Sequence, residues 1–268
     1  MRVNLDGVTI EYEVSGSGPP LVFVAGTGVG GGIWHRAQVP SFVDRRTCIT
    51  FDLRGAGGSD APPGPYTVAE LARDTELLLD HLGITSAAFV GLSLGSAILQ
   101  ELALARPELV DAMVLLSTWS SSPREHHIRR WFEARLRTLE EATQPVFAGY
   151  SFWMWAPSFV DDEPEAMAEH GRFFAEISGS QPTHAYESHF RADIGHDTAS
   201  RLPLITCPTM VLYGEEDLIT LPRYNRRVAE LVPNATSHEI SGAGHMALLE
   251  RPTEVNDAIA RFLETAGS

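Results

Sequence analysis

Through the first 118 residues, short apolar runs alternate with longer stretches in which apolar positions recur every three or four residues. An alternating strand over 8–14 ends in the turn-forming Ser15-Gly16-Ser17-Gly18-Pro19-Pro20 and leads into an apolar strand over 21–25. A further strand is expected over 48–52. Over 67–82, Val68, Leu71, Leu78, Leu79 and Leu82 fall on one helical face, with Asp74, Glu76 and Asp80 elsewhere, and Gly83 stops the helix. A strand over 87–91, a helix over 96–105 closed by Arg106-Pro107 and a strand over 113–117 follow. Strand and helix taking turns in this way predicts βαβ crossovers: an α/β fold with a mostly parallel central sheet flanked by helices.

From Trp119 to about Ser200 no strand pattern is visible, and helical patterns recur over 125–141, 163–177 and 183–193. Alternation resumes with a strand over 209–214, a helix over 222–231, a strand over 235–240 and a final helix over 252–265. The expected division is therefore a core formed by 1–118 and 201–268, with 119–200 inserted as a helical cap. A length of 268 residues suits one large α/β unit carrying such an insertion.

Composition narrows the function class. Apolar residues make up 44% and charged residues 21%, as in ordinary globular proteins, so disorder and fibrous architectures do not fit. Twenty Lys and Arg against 35 Asp and Glu give a net charge of −15. An acidic surface of that size repels phosphate backbones and anionic lipid, so neither nucleic acid nor a membrane is an expected partner. Cys48 and Cys207 lie in separate apolar stretches with no C-x-x-C spacing, and Met1–Asp6 has no apolar segment after Arg2. Reduced thiols, no signal peptide and a cytoplasmic location are the expectation. A small-molecule substrate is the expected partner, and a homo-oligomer stays open.

The strongest chemical signal is Gly91-Leu92-Ser93-Leu94-Gly95, placed after a strand and before a helix. A sharp strand-to-helix turn crowds the backbone, so flanking glycines are needed. The serine hydroxyl then projects at a helix N-terminus, where the Leu94 N–H and the helix dipole face a developing oxyanion. A serine nucleophile needs a base, and the base an orienting acid. His245, in Ser241-Gly242-Ala243-Gly244-His245-Met246, follows one strand. Asp217, in Gly214-Glu215-Glu216-Asp217, follows another, with Glu215 and Glu216 as its nearest rivals. No carboxylate closely follows the strand over 113–117.

These residues, in the order Ser93, Asp217, His245, together with Asp52-Leu53-Arg54-Gly55-Ala56-Gly57-Gly58-Ser59-Asp60, resemble the α/β-hydrolase superfamily over nearly the whole chain outside the cap. Arg106–Val110 and Cys207–Val211 also sit where similar phrases do. Within the superfamily, 58–66 and the helix after it are most similar to the capped esterase and lactonase branch that includes 3-oxoadipate enol-lactonases. The resemblance implies Ser93, Asp217 and His245 as a catalytic triad, with the N–H groups of Thr27 and Leu94 as the oxyanion hole. It implies hydrolysis of an ester or lactone through an acyl-enzyme, with no cofactor and no metal. One departure stands out. The family usually has His-Gly after its first long strand, and here the chain reads Ala25-Gly26-Thr27-Gly28-Val29-Gly30-Gly31-Gly32. The donor is a backbone N–H and survives, but an imidazole that helps hold the loop is gone, so a more pliable oxyanion loop is expected.

The other readings are weighed against this one. Gly26, Gly28 and Gly31 spell G-x-G-x-x-G, with Asp52 ending a later strand, the fingerprint of a dinucleotide-binding oxidoreductase. That fingerprint should open a helix, and Pro40 soon follows three glycines here. C–C bond hydrolases and lyases share the triad, and a catalytically silent ligand-binding homologue would keep the fold alone. His184, His189, Asp193, His196 and Asp197 cluster in sequence without zinc-type spacing. Four of the five tryptophans fall in 119–200. Gly26, Trp119, Trp153, Trp155 and Met246 are the candidate pocket residues, within or beside the apolar stretch 147–159 for two of them. Arg124, Arg129 and Arg130 could meet a substrate carboxylate, or simply form a solvated helix face.

Overall fold

The computed structural model describes residues 1–141, 152–178 and 181–266. The strand-forming runs are β1 (Arg2–Leu5), β2 (Val8–Gly16), β3 (Pro20–Val24), β4 (Thr47–Phe51), β5 (Ala87–Leu92), β6 (Val110–Leu116), β7 (Thr209–Gly214) and β8 (Ala235–Ile240). They form one sheet in the order β1-β2-β4-β3-β5-β6-β7-β8. Pairing is antiparallel for β1 with β2 and β2 with β4, and parallel from β4 to β8. The helices are α1 (Gln38–Phe42), α2 (Val68–Leu82), α3 (Leu94–Ala105), α4 (His126–Glu141), α5 (Pro157–Asp162), α6 (Pro164–Ser178), α7 (Thr183–Gly195), α8 (Pro222–Leu231), α9 (Ala247–Glu250) and α10 (Pro252–Ala266).

The parallel strands are apolar on both faces because both are covered. Val22, Ile49, Phe89, Met113, Leu115 and Val211 share one buried cluster with α2, α3 and α8. Their neighbours Leu21, Phe23, Val90, Val114 and Leu212 join the other, with Phe42 of α1 and Val255, Ile259 and Leu263 of α10. Helix α2 begins with a capping box, the Glu70 N–H donating to Thr67 Oγ1 at 3.2 Å and the Thr67 N–H to Glu70 Oε2 at 2.8 Å. It ends on Gly83 in the left-handed region, φ 68°.

The sequence expectation starts the first strand at residue 8 and misses β1. That strand is four residues long and is folded back on β2 by Asp6-Gly7, both at positive φ (48° and 92°), a hairpin turn of the Asx-Gly kind. Between β6 and β7 the described residues hold helices α4 to α7 and, instead of a strand, a single bridge between Ser121 and Asp197. Of the apolar stretch 147–159, residues 147–151, Tyr150 among them, lie outside the described residues.

Strand order decides where a site can form. β4 lies on one side of β3 and β5 on the other, with Val24 level with Phe51 and with Gly91. The chain therefore leaves β3 and β5 in opposite directions, the arrangement that in such sheets places a binding crevice at the carboxyl ends of the strands. Residues 26–32 follow β3, and Ser93 follows β5.

Candidate active site

Ser93 connects β5 to α3 with φ 51° and ψ −115°, a conformation that a non-glycine residue seldom adopts. Its neighbours make the turn possible. A Cβ on Gly91 would sit 2.5 Å from the Gly95 carbonyl oxygen, and one on Gly95 would collide with the Val24 carbonyl. The turn is held by the Ser93 N–H donating to the Leu116 carbonyl at 2.9 Å and by Ser96 Oγ donating to the Ser93 carbonyl at 2.6 Å. Leu94 opens α3, and first-turn N–H groups of a helix have no intrahelical acceptor.

Asp217 and His245 come together from the ends of β7 and β8. His245 Nδ1 lies 2.8 Å from Asp217 Oδ2, and both side chains are buried. Asp217 is oriented by three further donors: the N–H groups of Ile219 (2.8 Å) and Thr220 (2.9 Å) on Oδ1, and Thr220 Oγ1 (2.6 Å) on Oδ2. A carboxylate fixed on one imidazole nitrogen sets the tautomer and leaves the other nitrogen for proton transfer. The backbone of His245 is tethered by Ser117 Oγ, which donates to its carbonyl at 3.1 Å. Leu116 and Ser117, consecutive residues at the end of β6, thus hold Ser93 and His245 respectively. The rival carboxylates are engaged elsewhere. Glu215 accepts from Ser241 Oγ (2.7 Å) and the Gly242 N–H (3.1 Å), and Glu216 from Ser158 Oγ (3.4 Å).

The glycine-rich loop runs beside the elbow: a Cβ on Gly26 would lie 3.5 Å from the Cβ of Ser93. The resemblance raises the expectation of a pliable loop, and the structure instead ties it at both ends. Thr27 Oγ1 donates to Asp193 Oδ2 at 2.8 Å, the Gly28 N–H to His189 Nδ1 at 3.1 Å, and Tyr186 Oη to the Gly28 carbonyl at 3.1 Å, all from α7. At the far end the Gly31 N–H donates to Asp52 Oδ1 at 2.7 Å, and Asp52 Oδ2 accepts from the Gly58 N–H at 2.7 Å. This also answers the dinucleotide motif. Gly31 opens only a six-residue 3-10 helix, Gly31–Arg36; Asp52 is engaged by backbone N–H groups; and the Tyr186 ring covers Gly28.

The other candidate residues separate. Met246 is buried, its N–H donating to the Met154 carbonyl at 3.0 Å. Trp155 is buried and stacked on Phe159 and His170, with ring centroids 5.4 and 5.0 Å away. Trp119 is buried against Phe132 and His196, its Nε1 donating to Ser122 Oγ at 2.9 Å. Trp153 is 43% exposed. Arg124 pairs with Asp197 at 3.6 Å and Arg129 with Glu133 at 2.8 Å, while Arg130 is exposed. His184 meets the Ala61 carbonyl at 3.0 Å and His196 the Trp119 carbonyl at 3.2 Å, so the histidine cluster is dispersed among separate partners.

Two residues absent from the sequence reading matter here. Thr220 joins the acid, as described. Glu250 is buried under the His245 loop and accepts from the N–H groups of Gly244 (3.0 Å) and Ala156 (3.0 Å). Burial pushes its carboxyl up to about 7, against the lowering effect of those donors. Gly244 has to be glycine, because a Cβ there would collide with the backbone of Ala156.

An acutely turned serine on β5, an Asp–His pair at the ends of β7 and β8 and a glycine loop beside the serine define an α/β-hydrolase site. The chain belongs to the alpha/beta hydrolase fold family, which matches it over residues 19–252. It is 32% identical over 261 residues to a Mycobacterium tuberculosis protein given the provisional name non-heme bromoperoxidase BpoC, covering 95% of this chain and 97% of that one. It is 27% identical over 259 residues to 3-oxoadipate enol-lactonase 2 of Acinetobacter baylyi, covering 96% and 94%. A malate-bound thermophilic esterase from Thermogutta terrifontis superposes with a TM-score of 0.86 at 26% identity, covering all of both chains. No helix among the described residues is long and apolar enough to cross a membrane.

Proposed function

We propose that the protein is a serine hydrolase cleaving a carboxylic ester or lactone of a partly apolar small molecule. His245 takes the proton of Ser93 Oγ through Nε2 as that oxygen attacks the carbonyl carbon. Asp217 holds the ring at Nδ1 and stabilises its positive charge. The N–H groups of Thr27 and Leu94 receive the oxyanion. Collapse breaks the acyl C–O bond, His245 returns the proton to the leaving oxygen, and water, deprotonated by the same imidazole, releases the acid and restores Ser93. The observation that carries this reading is the 2.8 Å contact between His245 Nδ1 and a fully buried Asp217, hung from the same sheet end as a strained Ser93. Residues 119–200 are read as a cap on the core formed by 1–118 and 201–268. Its aromatic content favours an apolar substrate portion, and the named enol-lactonase and esterase among the similar proteins favour an ester or lactone.

The test is intact mass after exposure to a serine-directed fluorophosphonate, with Ser93→Ala alongside, followed by an ester and lactone panel. One adduct on the wild type and none on the variant is the expected result. No adduct on folded wild type would turn the reading toward a non-catalytic ligand-binding homologue. An adduct without turnover of any ester or lactone would turn it toward C–C bond cleavage on the same residues.

A further inference from the structure

Three side chains of α7, Tyr186, His189 and Asp193, lie at spacings of three and four residues and so share one helix face. All three meet the two residues Thr27 and Gly28. The contacts surround the Thr27–Gly28 peptide, directly after the Gly26–Thr27 peptide whose N–H is the oxyanion donor in the reading above. His189 is the most constrained of them. Its Nε2 lies 2.8 Å from the Arg54 carbonyl, which can only accept, so that nitrogen carries the proton. Nδ1 is then a bare acceptor, as the Gly28 N–H requires. The ring is fully buried, lies 5.7 Å from the Tyr66 ring, and so joins the loop after β3 to the loop after β4.

We propose that His189 is a positioning residue for the oxyanion hole, supplying from the inserted helices the loop-holding imidazole that Ala25 lacks. By fixing the Gly28 N–H it fixes the neighbouring Thr27 peptide, so the donor points at the Ser93 side before substrate arrives. The inference rests on the acyl-enzyme reading. Burial lowers the His189 imidazole to about 4, which keeps the ring neutral and its Nδ1 an acceptor near neutral pH. A ring retained only for packing would tolerate any substituent of similar size. A positioning ring requires an acceptor at Nδ1 in particular.

The two possibilities separate with His189→Asn, His189→Gln and His189→Leu. The Asn carbonyl oxygen falls near the place of Nδ1, whereas Gln reaches toward Nε2. On the best ester or lactone, His189→Leu should lower kcat by about 10–100-fold, the cost of a misplaced donor, with KM little changed. His189→Asn should restore most of the loss and His189→Gln little of it. Amide hydrogen exchange at Gly28 should be faster in the Leu and Gln variants and near wild type in Asn. Equal kcat in all three variants, equal rescue by Gln and Asn, or unchanged exchange at Gly28 would overturn the proposal. Should His189→Leu fail to fold, the Asn–Gln pair decides alone. If wild type takes no fluorophosphonate at Ser93, the acyl-enzyme reading fails separately, and Gly28 exchange still reports whether His189 holds the loop.

Discussion

Thr27 and Asp193 are 166 residues apart in the chain and share a 2.8 Å hydrogen bond, the Thr27 hydroxyl donating to Asp193 Oδ2. Asp193 is fully buried, and its Oδ1 has no hydrogen-bond partner among the described residues. Burial holds the carboxyl well above its usual range, only partly opposed by the Thr27 donor. The native state therefore keeps a proton that the unfolded chain releases above about pH 3.9. The stability this group contributes is full below that value and is lost as pH rises. Asp193→Asn, which has the same shape and does not titrate, should remove the loss. The Tm of the variant minus that of wild type should grow between pH 5 and pH 9 in thermal unfolding. A flat or falling difference would mean that the native carboxyl is ionised.

The oxyanion assignment separates hydroxyl from N–H at one position. Thr27→Pro removes the donor and should lower kcat by about 10²–10³-fold. Thr27→Val keeps the N–H and loses only the bond to Asp193, so its kcat should fall far less. Similar kcat values for the two variants would remove Thr27 from the hole.

Two glycines should respond in opposite directions to alanine. At Gly95 a methyl group meets the Val24 carbonyl and, at 2.7 Å, the Ala25 carbonyl, backbone atoms that cannot yield without moving β3. Gly95→Ala should destabilise by about 1–3 kcal/mol or more and lower activity with it. Gly171 lies within α6 with nothing within 4 Å of its Cβ position. Gly171→Ala should stabilise by about 0.5–1 kcal/mol. Denaturant titration of both variants checks the contrast.

Glu250 ties the His245 loop to Ala156. Glu250→Ala leaves the buried N–H groups of Gly244 and Ala156 without their acceptor, at about 1–3 kcal/mol each. Its midpoint in urea should fall accordingly, and kcat should drop more than KM rises, because Gly244 precedes His245. A stable variant with unchanged kcat would show that water or a neighbouring group replaces the carboxylate.

The elbow was legible because its requirements are local: glycines on either side of Ser93, a strand before it and a helix after it. Asp217 and His245 were legible because strand ends present side chains to one edge of a parallel sheet, and periodicity locates strand ends. The face formed by Tyr186, His189 and Asp193 was not. Helical periodicity shows that such residues share a side, but the loop they meet lies more than 150 residues earlier, and no local pattern encodes that contact. Sequence therefore offered His189 and Asp193 only as members of a dispersed histidine cluster. Composition is silent in a similar way at Trp153. An aromatic-rich stretch suggests a roof of indoles, yet which side of a segment meets the core depends on packing, and Trp153 is 43% exposed.

The grip of α7 on residues 27 and 28 bears on how such enzymes can be recombined. In a fold whose chemistry hangs from a sheet, the helices between β6 and β7 invite exchange as a unit. In this chain that graft would carry away the groups that hold Thr27 and Gly28 in place. A working chimaera would have to transplant 26–32 and α7 together, as a matched lock and key of one protein, or restore a histidine at position 25 first.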